Sequence, residues 1–331
     1  MNKSILIVED VDSIRVSIRD ALLAENFQVF DAKDAETAIE LLHRFPIHLV
    51  LSDIRMPGKS GLELIDYVKN NFPEIQYALI TAYDINHYVH YAYEHKIYNI
   101  IPKYSFLDFK FISVVANKLL SGDIFGVEKY FEEKLQVVQT EQFKVPAENE
   151  VVFTSIYSDT NRVELCENIG TYMIDNGAPT VVFQILEELS SNAMIRAPRD
   201  IYGNSKYQYE FPSKDILIPL KNITLEREDA FQLGFGICDN IFIIVTRDRF
   251  GSLRKEEILK RFDRHIYTNP ETGLPFGLSD SHGRGLFICR EIADSIIFNI
   301  KRNVMTEVIA FLQPRTQERY HKSLSIFEIN S

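Results

Sequence analysis

The chain has 331 residues, 46% of them hydrophobic and 25% charged, a globular balance that can bury two cores and argues against wholesale disorder. Its formal charge of −11 disfavours general nucleic-acid binding, because an acidic chain repels a phosphate backbone. Its three cysteines form no CxxC pair and no run of about 18 apolar residues is present, which argues against a disulfide scaffold, a zinc knuckle and a membrane span. The N-terminal apolar segment is too short for a signal peptide, so we expect a cytoplasmic protein with no nucleic-acid or membrane partner.

Residues 1–121 alternate short apolar strands with amphipathic helices, and we interpret them as the first domain. This alternation predicts a doubly wound parallel sheet of five strands, covered by helices on both faces. The predicted elements are a strand at 5–8, a helix at 13–26, a strand at 27–30, a helix at 35–45, a strand at 48–51, a helix at 62–71, a strand at 78–81, a helix at 86–95, a strand at 99–101 and a helix at 107–120.

Residues 122–150 are predicted to form a connector helix with one apolar face. Because an isolated helix this short needs a packing partner, we expect it either to pack on its own domain or to act as a signalling helix that joins a homodimer. The residues on the apolar face are Val127, Tyr130, Phe131, Leu135 and Val138.

Residues 151–331 change to an α+β pattern, which we interpret as the second domain. This order predicts an α+β sandwich, with helices packed on a mixed or antiparallel sheet. The predicted elements are a strand at 151–157, helices at 162–175 and 180–194, an antiparallel hairpin of strands at 231–237 and 241–246, helices at 253–265 and 286–295, and a final strand pair at 296–301 and 307–312.

Polar side chains stand where four predicted strands of the first domain end, namely Glu9, Asp10, Asp53, Thr81 and Lys103. Ligands of a doubly wound sheet bind at the carboxyl ends of its strands, so these side chains should meet at one edge. Crowded carboxylates repel one another unless a cation joins them, and Mg²⁺ prefers oxygen ligands. An ionised aspartate beside that metal can attack a phosphoryl group, and a lysine and a threonine can hold the new phosphate oxygens.

This combination resembles the receiver domain of response regulators, which has a flavodoxin-like fold, over residues 1–121. By this resemblance Asp53, in the segment DIRMPGKSG, is the phosphoacceptor. Glu9, Asp10 and Asp53 are expected to bind Mg²⁺, with the backbone carbonyl of Arg55 completing the metal site. The resemblance also implies an upstream histidine kinase as the phosphodonor.

The resemblance further implies that Thr81 and Lys103 couple phosphorylation to a shift of the face formed by the fourth helix, fifth strand and fifth helix. Two positions depart from the family pattern. Tyr104 follows Lys103 where proline is usual, and Ile100 stands where the family carries its aromatic switch residue. The expected phosphorylation chemistry is therefore complete, whereas the usual aromatic relay is absent.

A second group of residues points to a nucleotide site in the second domain. Glu188 and Asn192 are four residues apart and share one face of a predicted helix. The asparagine can ligate Mg²⁺ without adding charge, and the glutamate can act as a general base. Asp248 ends a strand and could accept the amino group of adenine. Gly283 and Gly285 let backbone amides approach phosphates at a helix start.

These segments, from about residue 150 to residue 313, resemble the ATP-binding domain shared by gyrase, histidine kinases and anti-sigma-factor serine kinases. ELSSNA matches its N box, DRFGSL part of its first glycine box, and GRGLFI its second; Phe250 replaces the first glycine of the former. The loop at 261–282 would form a lid. The residues expected to bind ATP are Asn192, Asp248, Gly251, Gly283, Gly285 and Thr306, and Asn192 would also hold Mg²⁺.

Two outputs from different classes stay open. One is an ATP-dependent serine/threonine protein kinase of the anti-sigma-factor type, with Glu188 as the base and a downstream regulatory protein, such as an anti-sigma antagonist, as its partner. The other is a non-catalytic module that senses nucleotide or captures a partner. A helix-turn-helix is disfavoured because the helix at 180–194 carries no basic residue. No histidine lies between His95 and His265 to serve self-phosphorylation.

Overall fold

The computed structural model describes most of the chain, and the helices in its described part include none long and apolar enough to cross a membrane. The chain forms two compact units. The first comprises Met1–Ile124 and Tyr320–Phe327, and the second comprises Phe125–Arg319 and Glu328–Ser331. The described residues are 3–103, 108–131, 134–207, 223–268, 273, 284–314 and 322–330.

The first unit is built on a parallel sheet in the order β2-β1-β3-β4-β5, which confirms the predicted fold class. Every residue of β1 and β3 is buried, as expected of strands covered by helices on both faces. The elements of this unit are β1 (Ser4–Val8), α1 (Asp12–Ala24), β2 (Gln28–Ala32), α2 (Ala35–Arg44), β3 (Leu49–Asp53), α3 (Gly61–Asn71), β4 (Gln76–Thr81), α4 (Val89–His95), β5 (Asn99–Pro102) and α5 (Asp108–Ser121).

Local sequence signals fix where several of these helices begin. Asp34 accepts a hydrogen bond from the backbone N–H of Thr37 at the start of α2. Ser60 and Glu63 form a reciprocal capping box at the start of α3. Since both caps satisfy N–H groups that a helix leaves unpaired, they position the loops that follow β2 and β3.

The second unit is built on a mixed sheet in the order β10-β11-β9-β8-β7-β6. The predicted hairpin is present, because β8 and β9 pair antiparallel around Asp239 and Asn240, both at positive φ. α7 contacts α6 and α9, and α8 contacts α9. The elements are β6 (Gln136–Thr140), β7 (Glu150–Ile156), α6 (Asp159–Asp175), α7 (Val182–Ser191), β8 (Phe231–Cys238), β9 (Ile241–Asp248), α8 (Lys255–Ile266), α9 (Arg284–Ile292), β10 (Ser295–Lys301) and β11 (Met305–Leu312).

The predicted connector helix is wrong. The chain makes one 3₁₀ turn, Val127–Tyr130, and then enters β6, which pairs parallel with β7. The consecutive valines of β6 have branched side chains that favour a strand over a helix. Tyr130 and Phe131 pack edge-to-face on Phe311, with ring centroids 5.4 and 5.7 Å apart. The apolar residues that suggested a dimer helix are thus largely covered within the second unit.

A further strand, β12 (Leu324–Ile329), was not predicted. Its residues Leu324 and Ser325 pair antiparallel with Ile100 and Asn99, so it extends the sheet of the first unit beyond β5.

Candidate functional sites

The ends of β1 and β3 bring three carboxylates together in the first unit. One ligand oxygen each from Glu9, Asp10 and Asp53 lies within 4.8 Å of the other two. Glu9 and Asp53 are buried, whereas Asp10 is more exposed. Oxygen donors at this spacing and a net negative charge fit Mg²⁺, which needs only two or three carboxylates beside its retained waters. The cluster is therefore consistent with a magnesium site.

Lys103, just after β5, lies between two of these acids. Its Nζ donates to Asp53 Oδ2 at 2.8 Å and to Glu9 Oε1 at 3.0 Å. Burial disfavours the ammonium charge, but the hydrogen bonds to Asp53 and Glu9 outweigh it and raise the pKa of Lys103. Burial also raises the pKa of Glu9, in spite of its bond to Lys103. The ammonium thus compensates part of the charge of a buried acidic pair.

Thr81 ends β4 beside the same edge. Its side chain is fully buried, and its hydroxyl accepts a hydrogen bond from the backbone N–H of Tyr83 at 3.1 Å. The backbone N–H of Lys103 donates to the Thr81 carbonyl at 2.7 Å, which ties the ends of β4 and β5. A hydroxyl and an ammonium held in this way can both bind the oxygens of a phosphorylated aspartate.

The loop after β3 packs tightly on the end of that strand. A Cβ at Gly61 would lie 1.8 Å from the carbonyl oxygen of Asp53, so only glycine fits there. The Arg55 guanidinium donates to the Tyr88 hydroxyl at 2.9 Å and stacks over the Tyr83 ring. These contacts involve only the Arg55 side chain. The expected role of its backbone carbonyl in metal binding stays a prediction.

The second unit contains a pocket with about 540 Å³ of empty space, part of which is open to solvent. Asn192, Asp248 and Thr306, which come from three separate segments of the sequence, all line it. Asp248 and Thr306 are cross-strand partners on β9 and β11. Asn192 opens a π-helical turn that directly follows α7. The fold therefore brings together three of the residues that sequence reasoning assigned to ATP.

Asp248 is a buried carboxyl without a cationic partner in the pocket contacts that the structure describes. Burial raises its pKa to about 6, although the backbone N–H groups of Phe250 and Gly251 donate to Oδ1 at 2.8 and 3.1 Å. The Thr306 hydroxyl lies close enough to favour the charged form, but its geometry leaves it short of a hydrogen bond among the described residues. A buried acceptor and an unsatisfied hydroxyl suit a ligand that carries polar hydrogens.

Glu188 lies one turn before Asn192, and its backbone carbonyl accepts a hydrogen bond from Asn192 Nδ2 at 2.6 Å. Its carboxylate faces α9, because a Cβ at Gly285 would lie 1.8 Å from Glu188 Oε2. Burial raises the pKa of Glu188, and the nearby Arg196 opposes that rise. A side chain at Gly285 would thus displace the end of the Glu188 side chain. Neither residue is among those that line the pocket, although Leu286, next to Gly285, is.

Two other glycines, Gly251 and Gly283, were also expected to bind ATP. Gly251 has a φ of +54°, and a Cβ there would lie 2.0 Å from the carbonyl oxygen of Lys301. Its conformation is accounted for by the contact with the β10–β11 turn, and it is not among the residues that line the pocket. Gly283 lies outside the described residues, as does most of the predicted lid at 261–282.

Sequence reasoning missed the charged residues of the pocket. Arg196, Arg199, Glu257 and Arg261 also line it. Burial, and then the neighbouring Arg261, lower the pKa of Arg196. The spacing of Arg196, four residues after Asn192, was a readable signal of a shared helix face. Arg261 could not have been placed, because it arrives from α8.

Comparison with known proteins gives a family match for the first unit. The response regulator receiver domain model matches residues 5–108. The chain is 34% identical over 83 residues to the response regulator protein FleR of Pseudomonas aeruginosa, covering 25% of this chain and 18% of FleR. It is 32% identical over 83 residues to sporulation initiation phosphotransferase F of Bacillus subtilis, covering 25% of this chain and 67% of that protein.

Among solved structures, the response regulator TrrA of Thermotoga maritima in complex with Mg²⁺ and BeF is 30% identical, with a TM-score of 0.33. That match covers 36% of this chain and 99% of TrrA. By contrast, the chain spans less than a fifth of the length of the first curated relatives that it matches. The family match ends at residue 108 and does not extend into the second unit.

Proposed function

Residues 5–108 belong to the response regulator receiver family, and from this premise we propose that the chain is a two-component response regulator phosphorylated on Asp53. The observation that carries the proposal is the Lys103 ammonium, which bridges Asp53 and Glu9 at the edge of the three-acid cluster. An upstream histidine kinase is the phosphodonor that a receiver domain implies.

The residues supply the parts that phosphoryl transfer needs. A carboxylate oxygen of Asp53 attacks phosphorus, and the bond between phosphorus and the donor breaks as the acyl phosphate forms. Mg²⁺ held by Glu9, Asp10 and Asp53 would neutralise charge on the transferred oxygens. Lys103 and Thr81 then hold the phosphoryl group, at the cost of the contacts that they make in the resting protein.

Treatment with acetyl phosphate and Mg²⁺ tests this proposal. We expect one labile acyl phosphate per chain, detected by intact mass and removed by hydroxylamine. Asp53→Asn should abolish it, whereas Asp20→Asn, an exposed substitution on α1, should leave it unchanged. Modification that persists in Asp53→Asn would overturn the assignment.

We further propose that the second unit binds ATP with Mg²⁺ in a histidine-kinase-like ATPase fold and phosphorylates a downstream regulatory protein. The convergence of Asn192, Asp248 and Thr306 on one pocket supports this proposal. Asp248 would accept the adenine amino group, Asn192 would hold Mg²⁺, and Glu188 would act as the base. Arginines at the pocket wall add positive charge suited to phosphates.

Titration calorimetry with non-hydrolysable ATP and GTP analogues tests the pocket. We expect the protein to prefer the adenine nucleotide, and Asp248→Asn to weaken binding and reduce that preference. Asp239→Asn, at the β8–β9 turn, is the matched control because it lies outside the pocket and asparagine tolerates its positive φ. If the unaltered protein binds neither analogue, the partner-capture module becomes the better account.

Glu188→Ala separates a kinase from a module that only binds nucleotide. A general base acts on the chemical step, so its loss should lower phosphate transfer or ATP hydrolysis by roughly 10²–10⁴-fold while binding stays nearly intact. The matched control is Glu187→Ala, whose side chain is half exposed and pairs with Arg162 instead. Equal turnover in both variants would rule out Glu188 as the base.

A further inference from the structure

The strand β12 closes the β5 edge of the receiver sheet. Leu324 and Ser325 pair with Ile100 and Asn99, and the backbone N–H of Ile326 donates to the Tyr98 carbonyl at 3.1 Å. These residues of β12 are buried. Since β12 enters from a part of the chain remote from β5, this pairing is an addition to the sheet that the receiver elements form by themselves.

The strand that β12 contacts, β5, leads directly to Lys103, which binds Asp53. Ile100 stands three residues before Lys103, whose Nζ binds Asp53. β5 also pairs with β4 at Thr81 and Pro102. When Lys103 and Thr81 exchange their present contacts for a phosphoryl group, we expect the end of β5 to shift. We expect β12 to shift with it, because the register of a buried strand is strongly specified.

Phe327 anchors β12 on the helix side of the same unit. Its side chain is buried, and the Lys118 ammonium of α5 lies 5.1 Å from the centre of its ring. β12 is therefore held by both β5 and α5, which are two of the three elements expected to shift on phosphorylation.

The residue after Phe327 belongs to the second unit. Glu328 Oε2 accepts the backbone N–H of Lys255 at 3.0 Å, and its carboxylate pairs with Arg302. The Glu328 side chain is only 3% exposed. The backbone N–H of Arg302 also donates to the Ile329 carbonyl at 3.0 Å. Lys255 is the first residue of α8, so Glu328 satisfies one of the N–H groups that the helix leaves unpaired.

α8 in turn supplies Glu257 and Arg261 to the pocket wall. We propose that β12 transmits the phosphorylation state of Asp53 to this pocket. In this proposal Leu324–Phe327 move with β5, and Glu328 moves the start of α8. The proposal concerns the regulation of the pocket and rests on the proposed nucleotide binding for its functional meaning. The coupling acts through a covalently continuous strand, so no second protein is required.

Linkage gives the proposal a two-way signature. If BeF₃⁻ on Asp53 changes the affinity of the pocket for an ATP analogue by some factor, the analogue must change the affinity for BeF₃⁻ by the same factor. We expect that factor to be roughly 5-fold or more, the lower range for coupled sites. In Glu328→Gln both effects should fall towards unity.

Hydrogen exchange by mass spectrometry on the full chain, with and without Mg²⁺ and BeF₃⁻ and with no nucleotide, is the deciding experiment. We expect BeF₃⁻ to change exchange in residues 255–266 of the unaltered protein. Glu328→Gln should lose that change, since the amide carries no charge to pair with Arg302. Glu226→Gln, which alters another ion-paired glutamate of the second unit, should keep it.

Ile326→Pro provides an independent disruption, because proline removes the backbone N–H that donates to the Tyr98 carbonyl beside β5. A response of α8 that persists in both Glu328→Gln and Ile326→Pro would overturn the proposal. So would an unaltered protein that carries BeF₃⁻ on Asp53 and shows no change in α8. A response of α8 in a protein that binds no nucleotide would overturn the proposed ATP binding and support the role of β12.

Discussion

The acidic edge of the receiver sheet and the pocket of the second unit differ in how their buried carboxyl groups are stabilised. Glu9 and Asp53 share the Lys103 ammonium, so their charge is compensated within the protein. Asp248 receives only hydrogen bonds from N–H groups, and burial raises its pKa to about 6. Phosphorylation would exchange one set of charges for another at the first site. The acceptor at the second site would gain most from a ligand that donates hydrogen bonds to it.

Removing the cation of the first site should have the largest effect on stability. In Lys103→Met, Glu9 and Asp53 lose their ammonium and face each other in a buried site. We expect a loss of about 3–5 kcal/mol in the free energy of unfolding, the usual cost of breaking a buried pair. Urea denaturation in EDTA measures it. Added Mg²⁺ should restore part of the loss by joining the carboxylates. Lys33→Met, which changes an exposed lysine between β2 and α2, should behave like the unaltered protein.

Removing the charge of the second site should have the opposite sign. Because the pKa of Asp248 is raised in the folded state, its contribution to stability is complete below its ordinary pKa and is lost as the pH rises through about 6. A shift from 3.8 to about 6 corresponds to about 3 kcal/mol.

Asp248→Asn keeps an oxygen for the N–H groups of Phe250 and Gly251 but cannot ionise. Relative to the unaltered protein, it should therefore gain up to about 3 kcal/mol of stability between pH 4 and pH 8. Denaturant unfolding at those two pH values checks this, with Asp239→Asn as the control. A variant less stable than the unaltered protein at pH 8 would show that the charge is compensated after all.

Asn192→Ala tests whether the two sites differ in how they bind Mg²⁺. We expect the receiver acids to bind Mg²⁺ without nucleotide, whereas a neutral amide should contribute only when phosphate shares the ion. We expect the variant to weaken Mg²⁺-dependent binding of the ATP analogue by roughly 1–3 kcal/mol and to leave binding in EDTA unchanged. Calorimetry with and without Mg²⁺ separates the two. An equal loss under both conditions would indicate that Asn192 serves to hold the turn after α7.

The smallest expected effect concerns how the helices next to the two sites are capped. α3 is capped locally by Ser60, whereas α8 receives a carboxylate from distant Glu328. Ser60→Ala should therefore cost about 1 kcal/mol of stability and leave Asp53 phosphorylation by acetyl phosphate unchanged. Thermal unfolding and intact mass measure the two quantities. A marked fall in phosphorylation would assign Ser60 a part in holding the Asp53 loop.

The receiver elements could be predicted because the signals there are local. Each candidate residue directly follows an apolar strand, so the position in sequence gives the position on the sheet edge. In the second unit, Glu188 and Asn192 were readable from helical spacing, and Asp248 from its place at a strand end. Arg261 was not readable, because only tertiary packing brings α8 to the pocket.

Three failures have distinct physical causes. Val138 continued an apolar helical period, but the branching of Val137 and Val138 and their pairing with β7 made this segment a strand. Gly251 matched a glycine box, yet its close approach to Lys301 accounts for it. β12 was not predicted, because its partner β5 (Asn99–Pro102) lies far back in the sequence and non-local pairing leaves no periodic pattern.

The closure of the β5 edge by β12 also bears on how the protein is made. During synthesis β5 emerges long before Leu324, so the nascent receiver presents open N–H and C=O groups along that edge. Such edges pair readily with other chains. A fragment of residues 1–121 would keep its edge open permanently and should associate with itself in a way that the full chain does not. β12 can therefore join the receiver sheet only after most of the second unit has been translated.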